Sequence, residues 1–166
     1  MNVIKIGLGT CGISAGGEAV YNTIKEGLKA QNLDYELKET GCNGMCYEEV
    51  LVEVYSEGQK FVYTKIDSKK AEQIITQHLV GDQPISEWLL NGDGVSEPTF
   101  TKKQERIVLR NCGIIDPESI EDYIARDGYK AAEMCIKDLE QDTVIKNVID
   151  SGLRGRGGGG FLTGLK

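Results

Sequence analysis

The run Gly155–Gly160 near the end of the chain limits the possible structure most strongly, because five of its six residues are glycine. Glycine without a side chain is too costly in entropy to fill a helix or strand interior, so this run is predicted to form a loop. Its backbone N–H groups can turn together toward an anion, and Arg154, Arg156 and Lys166 add positive charge. We expect a phosphate-binding loop whose pocket is completed elsewhere, so that the chain forms the front part of a larger protein.

Composition narrows the class of protein. The chain has 166 residues and 40% apolar content, enough for one ordinary core and a shorter helical unit. Its 19 Lys and Arg against 26 Asp and Glu argue against a general nucleic-acid binder and favour proteins or a small anion as partners. No apolar run approaches the roughly 18 residues of a membrane span, and the first residues do not match a signal-peptide pattern. We therefore expect a cytoplasmic protein without a membrane span.

The first 81 residues predict an α/β domain. Short apolar runs indicate strands at 3–6, 35–40, 50–55 and 61–63, the last two joined by a turn at 56–59. Helical spacing of apolar residues indicates one helix over 19–30 and a closing helix after Asp67 or Ser68. The apolar face of the closing helix comprises Ala71, Ile74, Ile75 and Leu79. The predicted order is β-α-β-β-β-α.

The rest of the chain predicts a linker and a helical segment. Turn residues dominate 82–104, where Trp88 is expected to anchor the linker to a neighbouring domain. Asp116 and Asp142 are expected to begin helices within 105–166. The domains are thus 1–81, a linker over 82–104, and a lead-in over 105–166. His78 is expected at a surface or interface.

Cysteine spacing predicts a metal site. In a reducing compartment five cysteines are not expected to form structural disulfides. Cys42 and Cys46 share a glycine-containing loop, and thiolates suit iron–sulfur clusters, zinc or copper(I). Cys11 follows the first strand, so that three thiolates could converge. Cys112 and Cys135 are interpreted as small apolar residues.

These features resemble two known families. The strand and helix order with its two cysteine loops resembles the thioredoxin-like [2Fe–2S] ferredoxin domain. Residues 151–166 are similar to the start of the flavoprotein subunit of NADH dehydrogenases, the 51-kDa subunit of complex I, and its relatives in NAD-linked and electron-bifurcating hydrogenases and formate dehydrogenases. Residues 104–129, with Arg106–Gly113, Asp116–Pro117 and Asp127–Tyr129, are similar to the lead-in of the hydrogenase-type subunits.

The resemblance implies particular ligands. A [2Fe–2S] cluster would be held by Cys11, Cys42 and Cys46, whereas the family usually offers four cysteines. Ile6 or Gly7 stands where another is expected, and one alignment places the second at Gly12 rather than at Cys11. The resemblance also implies that the glycine loop contacts the phosphate of FMN and nearby NADH, with Phe161 on the nicotinamide side and Lys166 near the flavin phosphate. The remaining predicted loop contacts are Gly155, Arg156, Gly157 and Gly158.

The resulting prediction is the N-terminal part of an NADH-dependent flavin and iron–sulfur electron-transfer subunit. Its ferredoxin domain would be an electron relay or a docking module for other redox subunits, and NADH and FMN would bind only in the full-length protein. We expect residues 1–166 alone to be inactive. The alternatives are a cluster-less interaction module and a ferredoxin-type carrier, and the incomplete cysteine set counts against the carrier.

Overall fold

The computed structural model describes residues 2–90 and 103–166. The chain divides into two compact units, Met1–Ser119 and Ile120–Lys166. Residues 91–102 of the predicted linker lie outside the described residues. The domain boundaries at 81 and 104 therefore stay predictions.

A four-stranded mixed sheet forms the centre of the first unit. Its strands are β1 (Val3–Gly7), β2 (Glu36–Thr40), β3 (Val52–Ser56) and β4 (Gln59–Tyr63), in the order β2-β1-β3-β4. β1 and β2 are parallel, whereas β1–β3 and β3–β4 are antiparallel. Parallel strands need a crossover, and a two-residue turn suffices for the hairpin. The sheet confirms the predicted α/β class.

Three helices accompany the sheet: α1 (Thr10–Ser14), α2 (Gly17–Ala30) and α3 (Ser68–Gln73). The short α1 is an addition to the predicted order. α3 continues as a π-helix over Ile74–Val80. The carboxylate of Asp67 accepts a hydrogen bond from the amide of Lys70 at 2.8 Å, and this bond caps α3. α2 approaches the π-helix at Gly27, where a Cβ would lie 2.2 Å from Ile75 Cδ1.

The apolar core lies within the first unit. Strand residues alternate into it, and α2 contributes one stripe of side chains at helical spacing. Its fully buried members are Ile4, Ile6, Val20, Ile24, Val50, Val52, Val54, Tyr63, Ile66, Ala71 and Ile74. The sheet and its helices therefore bury a continuous core without the second unit.

Residues after the π-helix add to this core. Leu89 is buried and forms a bridge with Tyr63, and the amide of Leu90 donates to the carbonyl of Val62 at 2.9 Å. Trp88 packs against the core, where Lys70 Nζ lies 5.4 Å from its ring centroid. Part of the predicted linker therefore lines the edge of β4.

The prediction that His78 lies at a surface or interface is wrong, because the side chain is buried inside the first unit. His78 is 3% exposed, and its Nδ1 lies 2.8 Å from the Tyr63 hydroxyl oxygen. The ring of Phe61 packs on it edge-to-face, with centroids 4.6 Å apart. Position 78 lies seven residues after Ala71, and both are on the buried face of the closing helix. Helical spacing alone would therefore have predicted a buried His78, but histidine is polar and was not counted among the apolar residues of the helix.

The second unit consists of α4 (Ile120–Ala125), α5 (Lys130–Lys137) and α6 (Gln141–Asp150), followed by the glycine loop and a 3₁₀ turn at Thr163–Leu165. The first of these helices begins four residues after the predicted Asp116, and the last begins one residue before the predicted Asp142. Among the described residues, none of the helices has the length and apolar character needed to cross a bilayer.

Candidate functional site

The cysteine loop, residues 41–46, connects β2 to a 3₁₀ turn at Cys46–Glu48. Gly44 has a φ of +95°, a left-handed conformation that glycine adopts readily. The amide of Met45 donates to the Asn43 side chain at 3.0 Å, and the amide of Gly44 donates to Cys42 Sγ at 3.3 Å. These local hydrogen bonds bend the loop back on itself.

The bend brings two predicted ligands together. Cys42 Sγ and Cys46 Sγ lie 3.7 Å apart, and both residues are exposed. Two thiolates that bind one metal ion tetrahedrally, at about 2.3 Å each, lie about 3.8 Å apart. The pair therefore has the spacing of two ligands on one metal ion.

The third predicted ligand, Cys11, lies in the first turn of α1 and is exposed. Its loop adjoins the cysteine loop, because a Cβ at Gly9 would lie 3.1 Å from Cys42 Cβ. Within residues 2–90 and 103–166, however, no group of three or more His, Cys, Asp or Glu side chains is placed to hold a metal ion. Cys11 as a ligand stays a prediction, and the described residues fit half of a four-thiolate cluster site.

A carboxylate occupies the space beside the first loop. Glu49 lies against both glycines at which the resemblance would allow a further cysteine: a Cβ at Gly7 would be 3.4 Å from either carboxylate oxygen, and one at Gly12 would be 3.3 Å from Oε2. The Cβ at Gly12 would also lie 2.1 Å from the carbonyl oxygen of Gly7. The amide of Leu51 donates to Glu49 Oε2 at 3.0 Å. Burial raises the pKa of Glu49, although this hydrogen bond opposes the shift.

The surroundings of Cys42 act on its thiol in opposite directions. The hydrogen bond from the Gly44 amide lowers the pKa of Cys42, whereas partial burial, the contact with Cys46 and the charge of Glu49 raise it. The net shift is upward. These surroundings therefore favour the protonated thiol of Cys42 over the thiolate.

The predicted phosphate loop follows α6. Its two sides pair where the amide of Gly155 donates to the carbonyl of Phe161 at 2.8 Å, and the amide of Thr163 to that of Leu153 at 2.9 Å. The guanidinium of Arg154 donates to the carbonyl of Gly160 at 3.2 Å and holds the loop closed. Arg154 therefore maintains the loop conformation.

The tip of this loop leaves its backbone donors available. Among the described residues, the amides of Arg156, Gly157, Gly158 and Gly159 have no hydrogen-bond acceptor. A Cβ at any of the three glycines would meet no atom within 4 Å. Successive amides of this kind can bind an anion.

The other predicted loop residues lie around the same turn. The amide of Gly155 forms one of the hydrogen bonds that pair the two sides of the loop, and Phe161 is 61% exposed. Lys166 ends the 3₁₀ turn that follows the loop. The six predicted contacts thus belong to one continuous loop and turn, and their contacts with a cofactor stay predictions.

The sequence assigned Arg106 and Gly113 to the lead-in segment 104–129 but did not predict that they contact the cysteine loop. Arg106 and Gly113 both contact Asn43 of the cysteine loop from more than 60 positions away. Neither residue belongs to a periodic pattern. Cys112, next to Gly113, and Cys135 in α5 are half-buried and unpaired with other cysteines.

Comparison with known proteins gives partial matches. No family model matches the chain. It is 54% identical over 68 residues to the NADP-reducing hydrogenase subunit HndC of Solidesulfovibrio fructosivorans, a match covering 41% of the chain and 14% of that protein. It is 42% identical over 50 residues to an NADH-quinone oxidoreductase subunit of Escherichia coli (strain K12), covering 30% of the chain and 11% of that protein. The predicted resemblance to these subunits is confirmed over the matched segments.

Two solved structures are also similar. The thioredoxin-like [2Fe–2S] ferredoxin from Aquifex aeolicus matches 54% of the chain and 96% of its own length, with a TM-score of 0.48 and 17% identity. An NAD⁺-reducing [NiFe]-hydrogenase in the air-oxidized state matches 99% of this chain and 26% of the hydrogenase chain, with a TM-score of 0.41 and 18% identity.

Proposed function

We propose that this chain serves as part of an NADH-linked electron-transfer subunit that contains flavin and iron–sulfur centres. The 54% identity to an NADP-reducing hydrogenase subunit is the observation that carries the proposal. Both curated relatives described above are named as subunits, which supports other redox subunits as partners. The five free cysteines are compatible with the reducing cytoplasm proposed as its location.

In this proposal the first unit is an electron relay or a docking module. A bound [2Fe–2S] cluster would accept and release single electrons. The chain would supply Cys42 and Cys46 to one iron, at the 3.7 Å spacing already present, and Cys11 as the third thiolate. The cysteine loop orients the pair, because its bend sets the positions of both sulfur atoms.

The glycine loop would bind a phosphate of FMN in the full-length subunit. The unpaired amides of residues 156–159 would donate to the phosphate oxygens, and Arg156 and Lys166 would add positive charge. The exposed ring of Phe161 offers a flat apolar surface to a planar ring of the nucleotide. Hydride transfer from NADH to the flavin would then belong to the whole protein.

A cluster-less docking module is the second candidate. Two observations favour it: no group of three metal-binding side chains occurs in the described ranges, and Glu49 fills the space beside Gly7 and Gly12. In that case the first unit would bind partner subunits through its surface alone.

Reconstitution with iron and sulfide under anaerobic conditions distinguishes the two candidates. We expect visible absorption and an electron paramagnetic resonance signal after reduction, both lost in Cys42→Ser because one of two paired thiolates is removed. Cys135→Ser is the matched control, since Cys135 lies in α5 of the second unit. Colourless wild-type protein would favour the docking module, whereas spectra unaffected by Cys42→Ser would show that a cluster binds without Cys42.

A further inference from the structure

We propose that Arg106 and Gly113 are positioning residues that hold the cysteine loop in the conformation that pairs Cys42 with Cys46. Both residues belong to the segment 103–119, which follows the sheet in sequence but lies in the same compact unit. The inference extends beyond the proposed function, because it concerns where the two thiols lie and not what they bind.

Asn43 is the point at which this segment contacts the loop. The Arg106 guanidinium Nη2 donates to the backbone carbonyl of Asn43 at 2.9 Å. The side chain of the same asparagine accepts the Met45 amide, which closes the turn between the two cysteines. Asn43 is therefore fixed by two hydrogen bonds: its carbonyl accepts from Arg106, outside the loop, and its side chain accepts from Met45, within the loop.

Gly113 provides the second contact. Its φ is +72°, and a Cβ there would lie 2.7 Å from Asn43 Cβ. Real Cβ atoms do not approach one another this closely, so any side chain at 113 would displace either the loop or the segment. Glycine meets both demands, the left-handed backbone and the close approach.

Two more contacts fix the segment to the rest of the unit. Lys5 Nζ, on β1, donates to the carbonyl of Ile114 at 3.1 Å. The ring of Pro117 lies 3.5 Å from the position of a Cβ at Gly41, the first residue of the cysteine loop. The segment is thus attached to the central strand and contacts the loop at two places. A shift of the segment would move Asn43, and with it the two sulfur atoms on either side.

The test compares Arg106→Ala, Arg106→Gln and Gly113→Ala with the wild type. Gln keeps an N–H donor at position 106. Gly58→Ala is the matched control for Gly113→Ala, because Gly58 also has a left-handed φ, +81°, yet has no atom near its missing side chain. Circular dichroism establishes that each variant is folded.

Two measurements report on the loop. Cadmium titration, followed by the thiolate charge-transfer band, measures how tightly Cys42 and Cys46 together bind a cadmium ion. The Cys42→Ser variant gives the background binding by the other cysteines. Amide hydrogen exchange of residues 41–46 measures loop opening without any metal, because the Gly44 and Met45 amides are hydrogen-bonded within the loop. The exchange result is independent of cluster assembly, so the proposed function and this inference can fail separately.

We expect Arg106→Ala to weaken cadmium binding and to speed loop exchange, each by about three- to tenfold, the worth of one hydrogen bond. Arg106→Gln should recover part of both, and Gly113→Ala should match or exceed Arg106→Ala while Gly58→Ala changes neither. Wild-type cadmium affinity and loop exchange in Arg106→Ala would overturn the proposal. If Gly113→Ala unfolds the unit, the two variants of the exposed Arg106 decide the question.

Discussion

The two units of this chain differ in how much of their own apolar surface they bury. The first buries a continuous core between its sheet and its helices. In the second, none of the described residues is buried, and large apolar side chains stay exposed, among them Ile136 at 82% and Leu165 at 62%. A unit that buries no core gains little stability from the hydrophobic effect. The first unit therefore has the means to fold alone, whereas the second requires further apolar surface to cover it.

Matched substitutions in the two units should produce the largest contrast. Ile24→Ala, at a fully buried site in α2, should lower the free energy of unfolding by about 2–5 kcal/mol through lost burial and a cavity. Ile136→Ala, at a site that is 82% exposed in the second unit, should change the free energy of unfolding by less than about 0.5 kcal/mol. Chemical denaturation followed by circular dichroism measures both. Equal effects at the two sites would contradict the conclusion that only the first unit depends on a buried core.

Shortening the chain locates the end of the self-sufficient unit. Residues 1–81 should fold, because the sheet, α2 and the closing helix are complete. Residues 1–90 should be more stable by about 2–3 kcal/mol, since Leu89 adds a buried side chain. Denaturant midpoints of the two fragments test this. Equal midpoints would show that residues 82–90 add no stability, and an unfolded 1–81 would move the boundary past the closing helix.

The smallest effect is a pH dependence confined to the first unit. Burial lowers the pKa of His78 below its ordinary value, although Asp82 opposes the shift. The folded state therefore prefers the neutral ring, so the stability from this group is present above about pH 6.5 and is lost as the pH falls. His78→Leu should unfold with a smaller difference in melting temperature between pH 7.5 and pH 5.5 than the wild type. An identical difference would remove His78 as the cause.

Local pattern was sufficient for most of the first unit. Short apolar runs and alternation predicted the strands, and residues 56–59 predicted the hairpin turn that joins β3 to β4. Asp67 was one of two residues expected to cap the closing helix, and it does. The bend of the loop that carries Cys42 and Cys46 follows from Gly44 and from the hydrogen bonds that the Gly44 and Met45 amides donate within the loop. Each of these features depends on neighbours in sequence, which is why the sequence alone could determine them.

Only the tertiary structure decided what surrounds the cysteine loop. Arg106 and Gly113 reach Asn43 across more than 60 residues, and the carboxylate of Glu49 lies against Gly7 and Gly12. The burial of His78 depends likewise on the ring of Phe61 and the hydroxyl of Tyr63, which β4 places over it. Contacts between residues far apart in sequence do not follow from any periodic pattern, so the sequence patterns could not predict them. They arise when the sheet and helices pack, and packing also determines how firmly the two thiols are held.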